Sequence, residues 1–144
     1  MLGIFGIGGL GKTTLARATY NLMADQFDAL CFLRNVKENS AKHNLEHLQE
    51  MLLSKTNYLN IPLGDVSEGI TIIKQMLHQK KVVLVLDDVD ELKKLQVLAG
   101  GFDWFGLGSI VIITTNLIGW RISCQGRSII AVPTFKAFDW HLLY

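Results

Sequence analysis

The run Gly6-Ile7-Gly8-Gly9-Leu10-Gly11-Lys12-Thr13-Thr14 matches G-x-x-x-x-G-K-[ST] at every fixed position, and no other segment restricts the fold so strongly. Such a loop needs an apolar strand before it and a helix after it. Both are legible: Leu2 to Phe5 reads as a short strand and Thr13 to Asp25 as a helix. Glycines without Cβ let the backbone curl, so that successive N–H groups converge on an anion. The helix start adds unpaired N–H groups and the positive end of its dipole. On this reading Gly6, Gly8, Gly9, Leu10 and Gly11 cradle a polyphosphate. Lys12 places a charge at the β- and γ-phosphates, the Thr13 hydroxyl ligates Mg²⁺, and Thr14 donates to an α-phosphate. A glycine-rich turn that only joins strand to helix would leave the Lys and the two Thr unexplained.

A second strand pattern covers Lys81 to Val89, and its apolar run, Val82-Val83-Leu84-Val85-Leu86, lacks alternation, as expected for a strand covered on both faces. It ends in Asp87-Asp88. Asp87 is assigned to the metal, through water, because magnesium dehydrates reluctantly. Asp88 is assigned to orienting or deprotonating an attacking water, the catalytic role. A third run, Ser109 to Thr115, ends in small polar residues. In one large class of phosphate-loop folds this strand lies between the loop strand and the acidic strand, and Thr114, Thr115 or Asn116 would then face the γ-phosphate.

Further strand patterns cover Ala29 to Val36 and Ser128 to Val132, the latter stopped by Pro133. Helical stripes lie between them: Leu45, Leu48 and Leu52; Ile70, Ile73 and Leu77 behind a capping-box-like Asp65…Glu68; Leu92, Leu95 and Leu98 ahead of Gly100-Gly101. All are expected to be core faces. Alternating strands and helices imply a three-layer α/β domain with a mainly parallel sheet, its ligand at the carboxyl ends of the strands. The nucleotide-binding core is expected over residues 1–116. A divergent end of that core follows at 117–144, with a last strand at 128–132.

The chain has 144 residues, 49% of them apolar and 19% charged, with formal net charge +1. That suits a single globular core. No Lys/Arg block marks a nucleic-acid or anionic-membrane surface, and no apolar run approaches the roughly 18 residues of a membrane span. The apolar start lacks a basic region and is used by the phosphate loop, so it is not read as a signal peptide. Cys31 and Cys124 form no pattern and suggest a reducing cytosol. Cys31, inside a strand pattern, reads as a small buried hydrophobe.

The loop GIGGLGKTTLA, the acidic strand VVLVLDDVD and the strand GSIVIITTN, in that order, resemble the NB-ARC nucleotide-binding domain of plant disease-resistance proteins. Phe27 to Ser40 and Asp103 to Ser109 are similar to further motifs of that family. Asp90, together with Phe27 to Ser40, resembles the subclass that carries an N-terminal Toll/interleukin-receptor-like (TIR) domain. The resemblance covers residues 1 to about 116. It implies a P-loop NTPase fold of the signal-transduction (STAND) ATPase class, ADP/ATP and Mg²⁺ as cofactors, and a cytoplasmic switch. ADP holds such receptors off, and exchange for ATP licenses oligomerisation. The implied partners are the other domains of a parent receptor, with no nucleic acid and no membrane, and hydrolysis is slow at most. The chain departs from the family at Ile110 and Asn116, where Arg is usual, and is expected to be a core fragment.

Two rival readings come from the residues. An autonomous phosphoryl-transfer enzyme, such as a small kinase or ATPase, would need an Arg-bearing lid; Arg17, Arg34, Arg121 and Arg127 are present without lid spacing. His43-Asn44-Leu45-Glu46-His47 matches H-x-x-E-H, a zinc-peptidase pattern that needs both histidines on one helix face and a third ligand elsewhere. His78 and His141 read as exposed or capping residues. Trp104 is expected in a loop against the sheet edge.

Overall fold

An apolar run can join its neighbour in parallel only if the intervening chain crosses back over the sheet, usually as a helix. The computed structural model describes residues 2–5, 12–57, 60–115 and 130–131. It follows that rule through β1 (Leu2–Phe5), α1 (Lys12–Met23), β2 (Ala29–Leu33), α2 (Val36–Lys42), α3 (Leu45–Asn57), α4 (Val66–Leu77), β3 (Val82–Leu86), α5 (Leu92–Ala99), β4 (Ile110–Thr115) and β5 (Ile130–Ala131). The strand order is β2-β3-β4-β1-β5, and every neighbouring pair is parallel. The fold is therefore the expected α/β phosphate-loop architecture, with β4, which starts one residue after the expected Ser109, between the loop strand β1 and the acidic strand β3.

Helices cover both faces. On one side α1 lies over β1, β3 and β4. There Val83, Val85 and Ile112 pack with Tyr20, Phe27, Leu30 and Phe32. On the other side, Leu84, Leu86, Val111 and Ile113 join Leu48, Leu52, Ile73, Leu77, Leu95 and Leu98 in the larger core. Successive side chains of β3 enter different cores, so all five of its residues are buried and its sequence has no reason to alternate.

The helical stripes are core faces with one exception. Leu92 opens α5 and is 44% exposed, so that stripe begins a turn later, at Leu95. Asp65 caps α4 as expected, its carboxylate accepting from the Glu68 amide at 2.8 Å. The reciprocal arm lands one residue early: Glu68 Oε2 accepts from the Gly64 amide at 2.8 Å. Trp104 lies in a single 3-10 turn, Phe102–Trp104, and packs into the larger core beside α4 instead of on the sheet edge.

Gln49 is a buried polar residue that periodicity does not reveal. Its Nε2 donates to the carbonyls of Val66 at 3.1 Å and Val97 at 2.9 Å, tying α3 to the start of α4 and to α5. Gly69 faces it so closely that a Cβ there would overlap the Gln49 amide. Among the described residues no helix is long and apolar enough to cross a membrane.

Candidate functional site

Register decides which strand ends meet. Phe5 pairs with Thr115, and Leu86 pairs with Ile113. The chain therefore leaves β1 and β3 at the same edge of the sheet, on either side of β4. Two strand spacings separate the exits, roughly 10 Å. Helix α1 begins at Lys12 and runs back over the sheet before β2 starts, so its first turn also stands at this carboxyl edge. Thr14 is exposed in that turn. Gly6, Gly8, Gly9, Leu10, Gly11 and Asn116 lie outside the described residues, as do the side chains of Lys12, Thr13 and Thr115.

At the end of β3 the two acids occupy different environments. Asp87 is 3% exposed, whereas Asp88 is half-buried. The buried Thr114 hydroxyl donates to Asp87 Oδ1 at 2.6 Å and accepts from the Asp88 N–H at 2.8 Å. The Val89 amide adds a bond to the Thr114 carbonyl at 2.9 Å, and the Asp87 amide donates to the Leu33 carbonyl at 2.9 Å. Thr114 was among the residues expected to face the γ-phosphate; instead its hydroxyl is committed to the acidic corner. The reason is that Thr114 is the next position of β4 after Ile113, beside the residue that follows Leu86.

The corner also anchors α2. The Val36 amide donates to the Asp87 carbonyl at 2.8 Å and the Lys37 amide to the Asp88 carbonyl at 2.9 Å. These satisfy two of the amides that a helix start leaves unpaired. For this to happen β2 must stop at Leu33, short of the expected Val36, and Val36 must turn into the core. Asn35 makes that turn with φ 49°, and Asp88 makes its own with φ 60°. Among the described residues they are the non-glycine positions with positive φ. Asn and Asp tolerate this region best, at about 1–2 kcal/mol each. Such strain concentrates at functional sites.

Asp90 turns away from the site chemistry. Its carboxylate pairs with the buried Lys94 ammonium, which also lies 3.6 Å from Glu91. The corner therefore presents Asp87 and Asp88 as its acids. A buried carboxylate at a strand end suits magnesium, which is held by one or two carboxylates plus phosphates and water.

The zinc-peptidase reading fails on helix boundaries. His43 caps the end of α2, while Glu46 and His47 belong to α3. The two rings do meet, with centroids 4.3 Å apart, and His47 lies 3.9 Å from Glu50. Yet among the described residues no group of three His, Cys, Asp or Glu side chains could hold a metal ion. Nor does Arg17 serve as a lid: its guanidinium sits 5.0 Å from the centre of the Phe32 ring. Arg34 is exposed, and Arg121, Arg127, Cys124 and His141 lie outside the described residues. His78 caps α4 and is exposed, with Nδ1 3.1 Å from the Gln75 carbonyl oxygen. Cys31 is 1% exposed, and burial pushes its thiol up to about 12, which makes it an inert packing residue.

A model of the NB-ARC domain family matches residues 1–130. Disease resistance protein RPV1 of Vitis rotundifolia is 43% identical over 123 residues, covering 81% of this chain and 8% of that protein. TMV resistance protein N of Nicotiana glutinosa is 43% identical over 126 residues, 81% of this chain and 11% of that protein. Disease resistance-like protein DSC1 of Arabidopsis thaliana is 40% identical over 117 residues, 81% of this chain and 10% of that protein. The chain thus spans about a tenth of the length of these relatives.

Proposed function

The chain belongs to the NB-ARC family of P-loop nucleotide-binding domains, and from that membership we propose that it is the ADP/ATP-binding switch module of an intracellular plant immune receptor. The subclass reading is a receptor with a Toll/interleukin-receptor-like domain. The observation that carries the nucleotide assignment is the register: β1, which leads into the phosphate loop, and β3, which delivers Asp87, end at one edge on either side of β4.

In this reading the backbone of Gly6 to Gly11 and the first turn of α1 bind the phosphates, and Lys12 neutralises their charge. Thr13 and Asp87 would hold Mg²⁺, which when bound would neutralise phosphate charge. Thr115 and Asn116 are assigned to the γ-phosphate. Asp88 orients water, so hydrolysis, if any, depends on this acid. With Arg17 stacked on Phe32 and Asn116 in place of the family's Arg, little supports the charge that develops during transfer. Binding without appreciable turnover is the expected behaviour. The proposed partners are the other domains of the receptor and further copies in a nucleotide-dependent oligomer.

Calorimetry with ADP and ATP, with and without Mg²⁺, tests the assignment. Magnesium-dependent binding of both nucleotides is expected, with a matching rise in thermal midpoint by mass action. Turnover near ordinary enzyme rates of about 10 s⁻¹ would refute the switch reading.

A further inference from the structure

We propose that Thr114 is a positioning residue that sets the orientation of the Asp87 carboxylate towards the cation of a magnesium nucleotide. The role rests on the preceding assignment of Asp87 to that cation.

The direction of the hydrogen bonds makes the case. A hydroxyl has one proton and two lone pairs. The Asp88 amide can only donate, so at 2.8 Å it occupies a lone pair of Thr114 Oγ1. The hydroxyl proton is then left for Asp87 Oδ1, at 2.6 Å. That distance is at the short end of the range for an O–H···O bond, so the carboxylate oxygen is held closely. Thr114 is itself 1% exposed. As a β-branched residue in a strand, it has a stiff χ1, and its carbonyl is held by the Val89 amide at 2.9 Å. The carboxylate therefore cannot rotate without breaking a buried bond. The same hydroxyl holds the amide of Asp88 at φ 60°. One oxygen atom thus bonds both acids of the corner, the carboxylate of Asp87 and the backbone of Asp88.

Groups that orient a metal-binding carboxylate affect metal affinity by 10- to 100-fold when removed. A residue that served stability alone would leave the contribution of magnesium unchanged. The readout is therefore the magnesium enhancement: the dissociation constant of ADP in EDTA divided by that in Mg²⁺, measured by calorimetry on the whole chain. Thr114→Val is expected to lower the enhancement about 10-fold or more, and Thr114→Ser to restore it. A wild-type enhancement in Thr114→Val overturns the proposal, as does failure of Thr114→Ser to restore it. Should Thr114→Val not fold, Thr114→Cys carries the test, because a thiol is a weaker donor at the same place: a reduced enhancement supports the role and an unchanged one overturns it. Asp87→Ala separates this proposal from the one beneath it. Loss of enhancement in Asp87→Ala with full enhancement in Thr114→Val overturns the Thr114 role alone. Full enhancement in Asp87→Ala overturns both.

Discussion

The two edges of the sheet use the same residue types in opposite ways. At the amino edge, Asp28 accepts from the Lys81 amide at 3.0 Å and Ser109 Oγ accepts from the Val82 amide at 2.9 Å. The Ser109 proton goes to the Gly106 carbonyl at 2.6 Å, with that of Lys80 at 3.2 Å. These side-chain groups close off backbone, and the positive φ of 82° falls on Gly108, where no Cβ clashes with the backbone. At the carboxyl edge a hydroxyl instead meets a carboxylate, and the positive φ values fall on Asn35 and Asp88. An acid and a hydroxyl at a strand end are therefore not a functional signal in themselves. What distinguishes the site is that the acid is held by a side chain and that its neighbours are strained.

Four experiments can break or sharpen this contrast, beginning between the edges. Cys31, in the middle of β2, has its thiol raised from 9.0 to about 12 by burial. The unfolded thiol ionises first, so the unfolded state binds fewer protons above pH 9 and stability falls as pH rises towards 12. The loss reaches at most about 4 kcal/mol. Denaturation midpoints of wild type and Cys31→Ala should diverge in slope across that window; parallel slopes would show that the interior does not exclude the charge.

At the carboxyl edge, Lys12→Ala should weaken nucleotide binding about 10- to 150-fold, the equivalent of a charge-assisted bond worth roughly 1.5–3 kcal/mol. An unchanged affinity would place the phosphates elsewhere. At the amino edge, Ser109→Ala should leave nucleotide affinity as it is and lower folding stability by about 1–2 kcal/mol, because the Val82 amide loses its acceptor. A change in affinity there would erase the distinction between the edges. The smallest effect is expected for Asp88→Gly. Relief of the left-handed strain, about 1–2 kcal/mol, is largely offset by the entropy of glycine, about 0.5–1 kcal/mol. Stability should rise by no more than about 1.5 kcal/mol, while any residual hydrolysis is lost. A large drop in stability would mean that the Asp88 carboxylate serves the fold.

Much of the architecture was legible because it rests on local pattern. The run Val82 to Leu86 announced a doubly covered strand, and the stripes at Leu48, Leu52, Ile73 and Leu77 announced core faces, all of them buried. Legibility failed where a residue's environment is supplied from far along the chain. Val36 looks like the end of a strand until the carbonyls of Asp87 and Asp88 draw its helix into place. Gln49 looks solvated until Gly69, on another helix, leaves room for it. His43 and His47 look like one helical pair until the helix breaks between them.

From the chain alone came the fold family, the phosphate loop and the two acids, because a nine-residue motif and an apolar run carry their physical consequences within themselves. Tertiary structure alone decided what each polar atom of the corner does. Thr114 reaches Asp87 across 27 positions of sequence, and a hydrogen bond over that separation is made by strand register, which belongs to no single segment.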